Sequence, residues 1–219
     1  MAQGSSSPGD DAGNLDRTFR EWQDDGSSEV ATLGGVYGGA NGVNHMVLNV
    51  RDMEKSHDFW TRVMRLEHCG TQGGPGQPRF LRFYRSHGHT HHDIALSPAK
   101  DPDSLPIPTG PLQTPGLNHF AWTYPDLETW KQQVRHVVDT GYPIQFRMEH
   151  GMSQSLYVRD PDGTVVEMMY EFPEERWNEN IEAALKYRRV LDIDNDPDYF
   201  DPKPEDMPLF DENGLVEAS

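Results

Sequence analysis

His45 and His119 each follow an asparagine, and the two Asn-His pairs stand 74 residues apart. The same offset carries Asp52-Met53-Glu54 onto Asp126-Leu127-Glu128, and Asp93 onto Glu167. Strands expose alternate residues to one face, so His45 shares a face with Val43 and Val47, His119 with Leu117 and Ala121, and Glu167 with Val165 and Met169. A buried imidazole or carboxylate among apolar neighbours needs a partner, and one divalent metal satisfies all three groups. Two His and a carboxylate with positions left open is the facial arrangement of non-heme Fe(II) oxygen chemistry. The alternative makes each a hydrogen-bonded core residue. Recurrence at equivalent places of a repeat weighs towards the metal.

The elements that must position these groups are readable from periodicity. Residues 43–50 read as a buried strand, and Asp52 caps a helix carrying Met53, Phe59, Trp60, Val63 and Met64 on one face. Residues 79–84 and 92–96 read as further strands. After a Pro-rich connector the pattern restarts with a strand at 117–122 and a helix, capped by Asp126, that carries Leu127, Trp130, Val134, Val137 and Val138. Strands at 144–148, 155–159 and 164–171 follow, the last two joined by the turn Asp160-Pro161-Asp162-Gly163. A tandem repeat within one α+β domain is more economical than two unrelated domains. Its modules are expected at 41–97 and 116–172, joined by the connector 98–115. Residues 1–40, rich in Gly, Ser and Asp, are expected to be flexible. In the C-terminal extension 173–219, Trp177, Ile181, Leu185 and Leu191 predict an amphipathic helix over 174–191, followed by a solvated acidic tail. Trp60, Trp122 and Trp130 are expected to pack in the core.

Composition narrows the partners. The chain has 219 residues, 36 Asp and Glu against 19 Lys and Arg, and a formal net charge of −17. Such a charge repels phosphate backbones, which argues against nucleic acid and anionic membranes. Most of it lies at the ends, −5 over residues 1–29 and −9 over 192–219. Cys69 is the single cysteine, so neither an internal disulfide nor a Cys-rich zinc site is available. With no secretory signal pattern and no long apolar run, the expected location is the cytoplasm.

One segment is more specific. His150, five residues, Leu156-Tyr157, two residues, Asp160-Pro161, one residue, Gly163, three residues and Glu167 form a pattern similar to the signature of type I extradiol ring-cleaving dioxygenases. Met148 stands where that signature has Gly, Asn, Thr, Ile or Val. Over 43–172 the chain resembles the vicinal oxygen chelate superfamily, whose paired βαβββ modules curl into a metal-holding cup. The resemblance implies two tandem βαβββ modules here, and an Fe(II)-dependent enzyme that opens a catecholic ring with O₂. Mn(II) or another divalent metal is the alternative cofactor, and a homodimer the expected assembly. It makes His45, His119 and Glu167 the metal ligands and His92 the acid and base beside the oxygen site. His150 and Tyr157 become groups that hydrogen-bond the substrate oxygens.

The repeat and the resemblance disagree at one place. The 74-residue offset puts Asp93, not His92, opposite Glu167 in the repeat, and adjacent strand residues cannot share a face without a bulge. Either Asp93 is a fourth ligand, as in the lyase and isomerase branches, or a bulge turns His92 inward, which the resemblance favours. The rivals are a non-redox metal enzyme of the glyoxalase type and a metal-free binding or resistance protein. The run from His87 to His91 reads as a solvated loop. His57, His68 and His136 have no assigned role. Arg79, Arg82, Arg85 and Arg147 are the cations available to draw in an anionic catechol.

Overall fold

The computed structural model describes residues 43–86, 90–104, 107 and 116–216. The expected flexible segment 1–40, most of the Pro-rich connector, and His87 and His89 lie outside the described residues.

β1 (Met46–Val50) alternates as a strand with one covered face. Met46, Leu48 and Val50 turn to the core, whereas Val47 is 53% exposed. This corrects the expectation of a strand buried on both faces: the face that continues from His45 is open. Asp52 caps α1 (Met53–Asp58) by accepting hydrogen bonds from the Glu54 and Lys55 amides. The helix then widens into a π-helical turn (Phe59–Val63), and Phe59, Trp60 and Val63 are all buried there. β2 (Glu67–Gly73), β3 (Phe80–Arg85) and β4 (Ile94–Pro98) complete a four-stranded sheet in the order β1-β4-β3-β2, with β1 and β4 parallel.

The second module repeats the plan: β5 (His119–Thr123), α2 (Leu127–Asp139), β6 (Ile144–His150), β7 (Ser153–Arg159) and β8 (Val165–Glu171). β5 and β8 are parallel neighbours, and the order is β5-β8-β7-β6 with a fifth strand, β9 (Arg188–Leu191), added at the β6 edge. The fold is therefore α+β, built from two βαβββ modules. Their helices share one core. The Trp60 ring lies 6.1 Å from Phe120 and 5.7 Å from Trp122, and Gln133 Nε2 donates to the Val63 carbonyl at 2.8 Å. Trp60 and Trp130 are fully buried, and truncating either to Ala costs about 3–5 kcal/mol.

The helix expected over 174–191 is corrected. Two 3₁₀ turns (Glu174–Arg176 and Asn178–Asn180) precede a short α3 (Ile181–Lys186), and Tyr187 then turns to extended backbone. Arg188 to Leu191 satisfy the hydrogen-bonding groups of the β6 edge, a gain that helical spacing could not reveal. α3 lies so close to the β6–β7 turn that a Cβ on Gly151 would sit 2.4 Å from the Ala184 carbonyl oxygen. The acidic run after β9 is not simply solvated, because Asp196 and Asp198 hold Arg189 at 2.9 and 3.2 Å. Tyr199 and Phe210 are buried, and a hairpin of β10 (Leu209–Asp211) and β11 (Gly214–Val216) follows. Among the described residues no helix is long and apolar enough to cross a membrane.

Candidate active site

Each sheet has a face turned away from the helices, and the chemistry-bearing residues lie there. In module two, β5 presents His119 and Ala121, while Phe120 and Trp122 pack inward. Glu167 lies opposite Ala121 on parallel β5 and opposite Tyr157 on antiparallel β7, so the three share that face. A bulge at Gln145 shifts the β6 register, so that Phe146 rather than Gln145 pairs with Tyr157. Phe146, Met148 and His150 therefore face the site, and Arg147 and Glu149 face the core.

These placements form a continuous chain of contacts. His119 Nε2 is 3.1 Å from Glu167 Oε2, Tyr157 Oη donates to Glu167 Oε1 at 2.6 Å, and His150 Nε2 is 3.0 Å from Tyr157 Oη. Because the phenolic proton is committed to Glu167, His150 Nε2 must carry the proton it shares with Tyr157. Burial, reinforced by the Glu167 carboxylate, pushes the Tyr157 phenol well above its usual range, so it stays a donor. Burial also holds His150 below the ordinary imidazole value, against the opposing pull of Glu167. The Phe146 ring stacks on Tyr157 with centroids 4.4 Å apart.

Module one gathers a different set. The His45 ring lies 4.5 Å from that of His92, which stacks on His91 at 4.3 Å and meets Phe83 edge-on at 4.9 Å. Phe83 pairs with Ala95, which pairs with Val47, so His92 has joined the open face. β4 begins only at Ile94, and the irregular backbone before it frees His92 from strand alternation. The Asp93 carboxylate instead accepts from the Ser86 amide at 2.5 Å and from Thr90 Oγ1 at 2.8 Å, holding the loop together. The register also corrects the repeat arithmetic. Val47 opposes Ala95 where Ala121 opposes Glu167, so the module-one counterpart of Glu167 is Ala95, not Asp93. Burial, with His45 and His91 adding to it, holds the His92 imidazole below its ordinary value.

Asn44 and Asn118 are contributors that the spacing argument left without a role. Asn44 Oδ1 lies 2.9 Å from His45 Nδ1, and Asn118 Oδ1 lies 2.8 Å from His119 Nδ1. An Nδ1–H held this way leaves Nε2 as the lone-pair donor, the tautomer that suits a metal bound at Nε2. The His119 to Glu167 separation also suits adjacent ligands: bonds of about 2.1 Å at right angles place donors about 3.0 Å apart. These features fit a divalent cation. Among the described residues no three His, Cys, Asp or Glu are gathered closely enough to hold a metal, and His45 stands with His92 rather than with the His119 pair. His45 nevertheless borders a cavity of about 300 Å³ with Ala121 and Thr123, the residues that follow His119 on its face. A larger cavity of about 570 Å³ lies against Met64, Leu66, Trp122 and Tyr124; it shares Trp122 and Thr123 with the smaller one, and none of His45, His119 and Glu167 lines it.

Three of the four arginines expected to draw in anions, Arg82, Arg85 and Arg147, are otherwise engaged. Arg82 meets Glu54 at 2.5 Å and Arg85 meets Glu67 at 2.9 Å. Arg147 is fully buried on the core face, its guanidinium 4.9 Å from the Trp130 ring centre and 5.4 Å from that of Tyr199. Burial lowers its pKa to about 10. His57 and His68, left without a role, meet beside Tyr84, whose hydroxyl is 2.9 Å from His57 Nδ1.

Residues 42–168 match the family model described as the Glyoxalase/Bleomycin resistance protein/Dioxygenase superfamily. The chain is 35% identical over 81 residues to biphenyl-2,3-diol 1,2-dioxygenase 3 of Rhodococcus globerulus, a match covering 37% of this chain and 41% of that one. It is 30% identical over 127 residues to biphenyl-2,3-diol 1,2-dioxygenase 2 of the same organism, covering 58% of this chain and 61% of that one. Its matches thus span less than two thirds of either curated relative. A solved glyoxylase/bleomycin resistance protein/dioxygenase domain from Frankia sp. EAN1pec superposes with a TM-score of 0.50 at 20% identity, covering 61% of this chain and 93% of that one.

Proposed function

Because the chain belongs to the glyoxalase/bleomycin resistance protein/dioxygenase superfamily, we propose that it is an Fe(II)-dependent extradiol dioxygenase that cleaves a catecholic ring with O₂. The observation that carries this reading is the chain His150–Tyr157–Glu167–His119, which ties the signature residues to two of the three expected ligands. His45, His119 and Glu167 would hold the metal, whose chemistry, once bound, is to acidify a chelating catechol and activate O₂.

The rest is work for this chain's own side chains. His92, neutral at pH 7 because its imidazole is held low, is free to take a proton from a catechol hydroxyl and to return it later. Tyr157 fixes one carboxylate oxygen of Glu167 and leaves the other turned to His119. His150 donates its one N–H to the Tyr157 oxygen and so holds that oxygen in place. Phe146 supplies an aromatic wall for a ring. Asp93 is committed to its loop and Ala95 occupies the counterpart of Glu167, which weighs against a cage with a second carboxylate of the lyase and isomerase kind. Action as a cytoplasmic homodimer belongs to the same proposal.

The test is to load the protein anaerobically with Fe(II), add 3-substituted and bicyclic catechols, admit air, and follow oxygen uptake with the visible spectrum. Uptake with a yellow ring-opened product supports the reading. One tightly held metal per chain without uptake for any catechol overturns it in favour of the non-redox branch.

A further inference from the structure

β9 lies beyond the residues that match the family, yet it extends the sheet that carries the site. In its register with β6, Arg188 opposes His150, so the two side chains stand on the same face. The next residue, Arg189, opposes Glu149 on the core face and is held by Glu149, Asp196 and Asp198. Arg188 is exposed, and among the described residues it makes no ion pair. In a chain of net charge −17, a cation left open beside the site's own histidine is the feature that calls for a ligand. The acids on that face lie elsewhere: Glu167 is bonded to Tyr157 and His119, and Glu171 ends β8, two strands beyond β6.

We propose that Arg188 is a specificity-determining residue that binds an anionic substituent of the catechol. The inference rests on the dioxygenase reading. Phe146, 41% exposed and stacked on Tyr157, gives the ring its wall, and His150, four residues further along β6, stands opposite Arg188 on β9. The four residues from Phe146 to His150 span roughly 13 Å at about 3.3 Å per residue, a gap that an arginine side chain closes only in part. The anion therefore sits at the end of a short chain or on a second ring, not directly on the catechol. A carboxylate suits it, because the guanidinium fork accepts both oxygens.

The experiment compares a matched pair, 3-(2,3-dihydroxyphenyl)propanoate and 3-propylcatechol, with the Fe(II)-loaded protein. The wild type is expected to favour the anion in kcat/KM by about ten-fold or more, through KM, with the preference shrinking as salt rises. In Arg188→Gln the anion-to-neutral ratio falls on the order of ten-fold, and Arg188→Lys recovers part of it. A wild type without preference, or an Arg188→Gln variant that slows both substrates equally, overturns the proposal. A second arm titrates metal-free protein with 3-phenylpropanoate and its amide, followed by tryptophan fluorescence. If no catechol is oxidised the dioxygenase reading falls, while tighter binding of the acid, lost in Arg188→Gln, keeps the anchor. Equal binding of acid and amide removes it.

Discussion

The two modules share a plan and differ in what they place on the open face. Module two has Glu167 opposite Ala121 and builds a hydrogen-bonded line of imidazole, carboxylate, phenol and imidazole. Module one has Ala95 at the counterpart position and gathers three imidazoles against Phe83 instead. The Asn-His pair is the device both retain, with Nδ1 held in the same way. The two modules thus share one orienting contact and differ in the rest: one half lines up hydrogen-bonded carboxylate and phenol, the other clusters imidazoles.

The sharpest break of this comparison comes from the proposed ligands. His119→Ala and Glu167→Ala are expected to reduce tightly held iron from one per chain to almost none, read by elemental analysis after gel filtration, and His45→Ala should do the same. Full occupancy in the His45 variant would confine the metal to module two. Next in size, His92→Ala should keep its metal and lose about 10²- to 10⁴-fold in kcat. Asp93→Asn should also keep its metal; losing it would restore Asp93 as a ligand. Tyr157→Phe removes the phenol that steadies Glu167 and should weaken metal affinity by about 10- to 100-fold in a chelator competition.

Two smaller effects concern the framework of module two and the segment packed on it. Gly151→Ala drives a methyl into the Ala184 backbone and should lower stability by about 1–3 kcal/mol in urea unfolding. Burial pushes the Asp160 carboxyl up to about 6 against an ordinary value of 3.8. A carboxyl raised in the folded state contributes most below the unfolded value and loses that contribution as pH rises to the folded one. Asp160→Asn should therefore gain about 1–3 kcal/mol relative to wild type between pH 4 and pH 7, and parallel pH–stability curves would reject the shift.

Much of this was legible because strands and repeats write themselves in residue type. The alternation around His45 and His119, the Asp52 and Asp126 caps and the turn at Asp160 each have a local cause. What escaped depends on distant partners. The bulge at Gln145 leaves no mark in composition, yet it alone sends Arg147 to the core and Phe146 to the site. Residues 188–191 become a strand only because the β6 edge is vacant, so intervals that suited a helix misled there. The offset of 74 holds for the first strands but becomes 72 at the last, since the loops before β4 and β8 differ in length, and Asp93 was matched to Glu167 for that reason. β2, Glu67–Gly73, has few residues that favour strands and pairs through a bulge of its own at Cys69.

The fifth strand also has a consequence for how the protein is made. A ribosome releases β6, β7 and β8 well before Arg188 to Tyr199, so the nascent chain carries a bare sheet edge, and Arg147 waits for the second of its two aromatic neighbours. Until the last segment emerges, that edge is open to pairing with another chain. Chaperone engagement during synthesis should therefore end when β9 docks, and a product cut short after β8 should accumulate as aggregate rather than as a weaker enzyme.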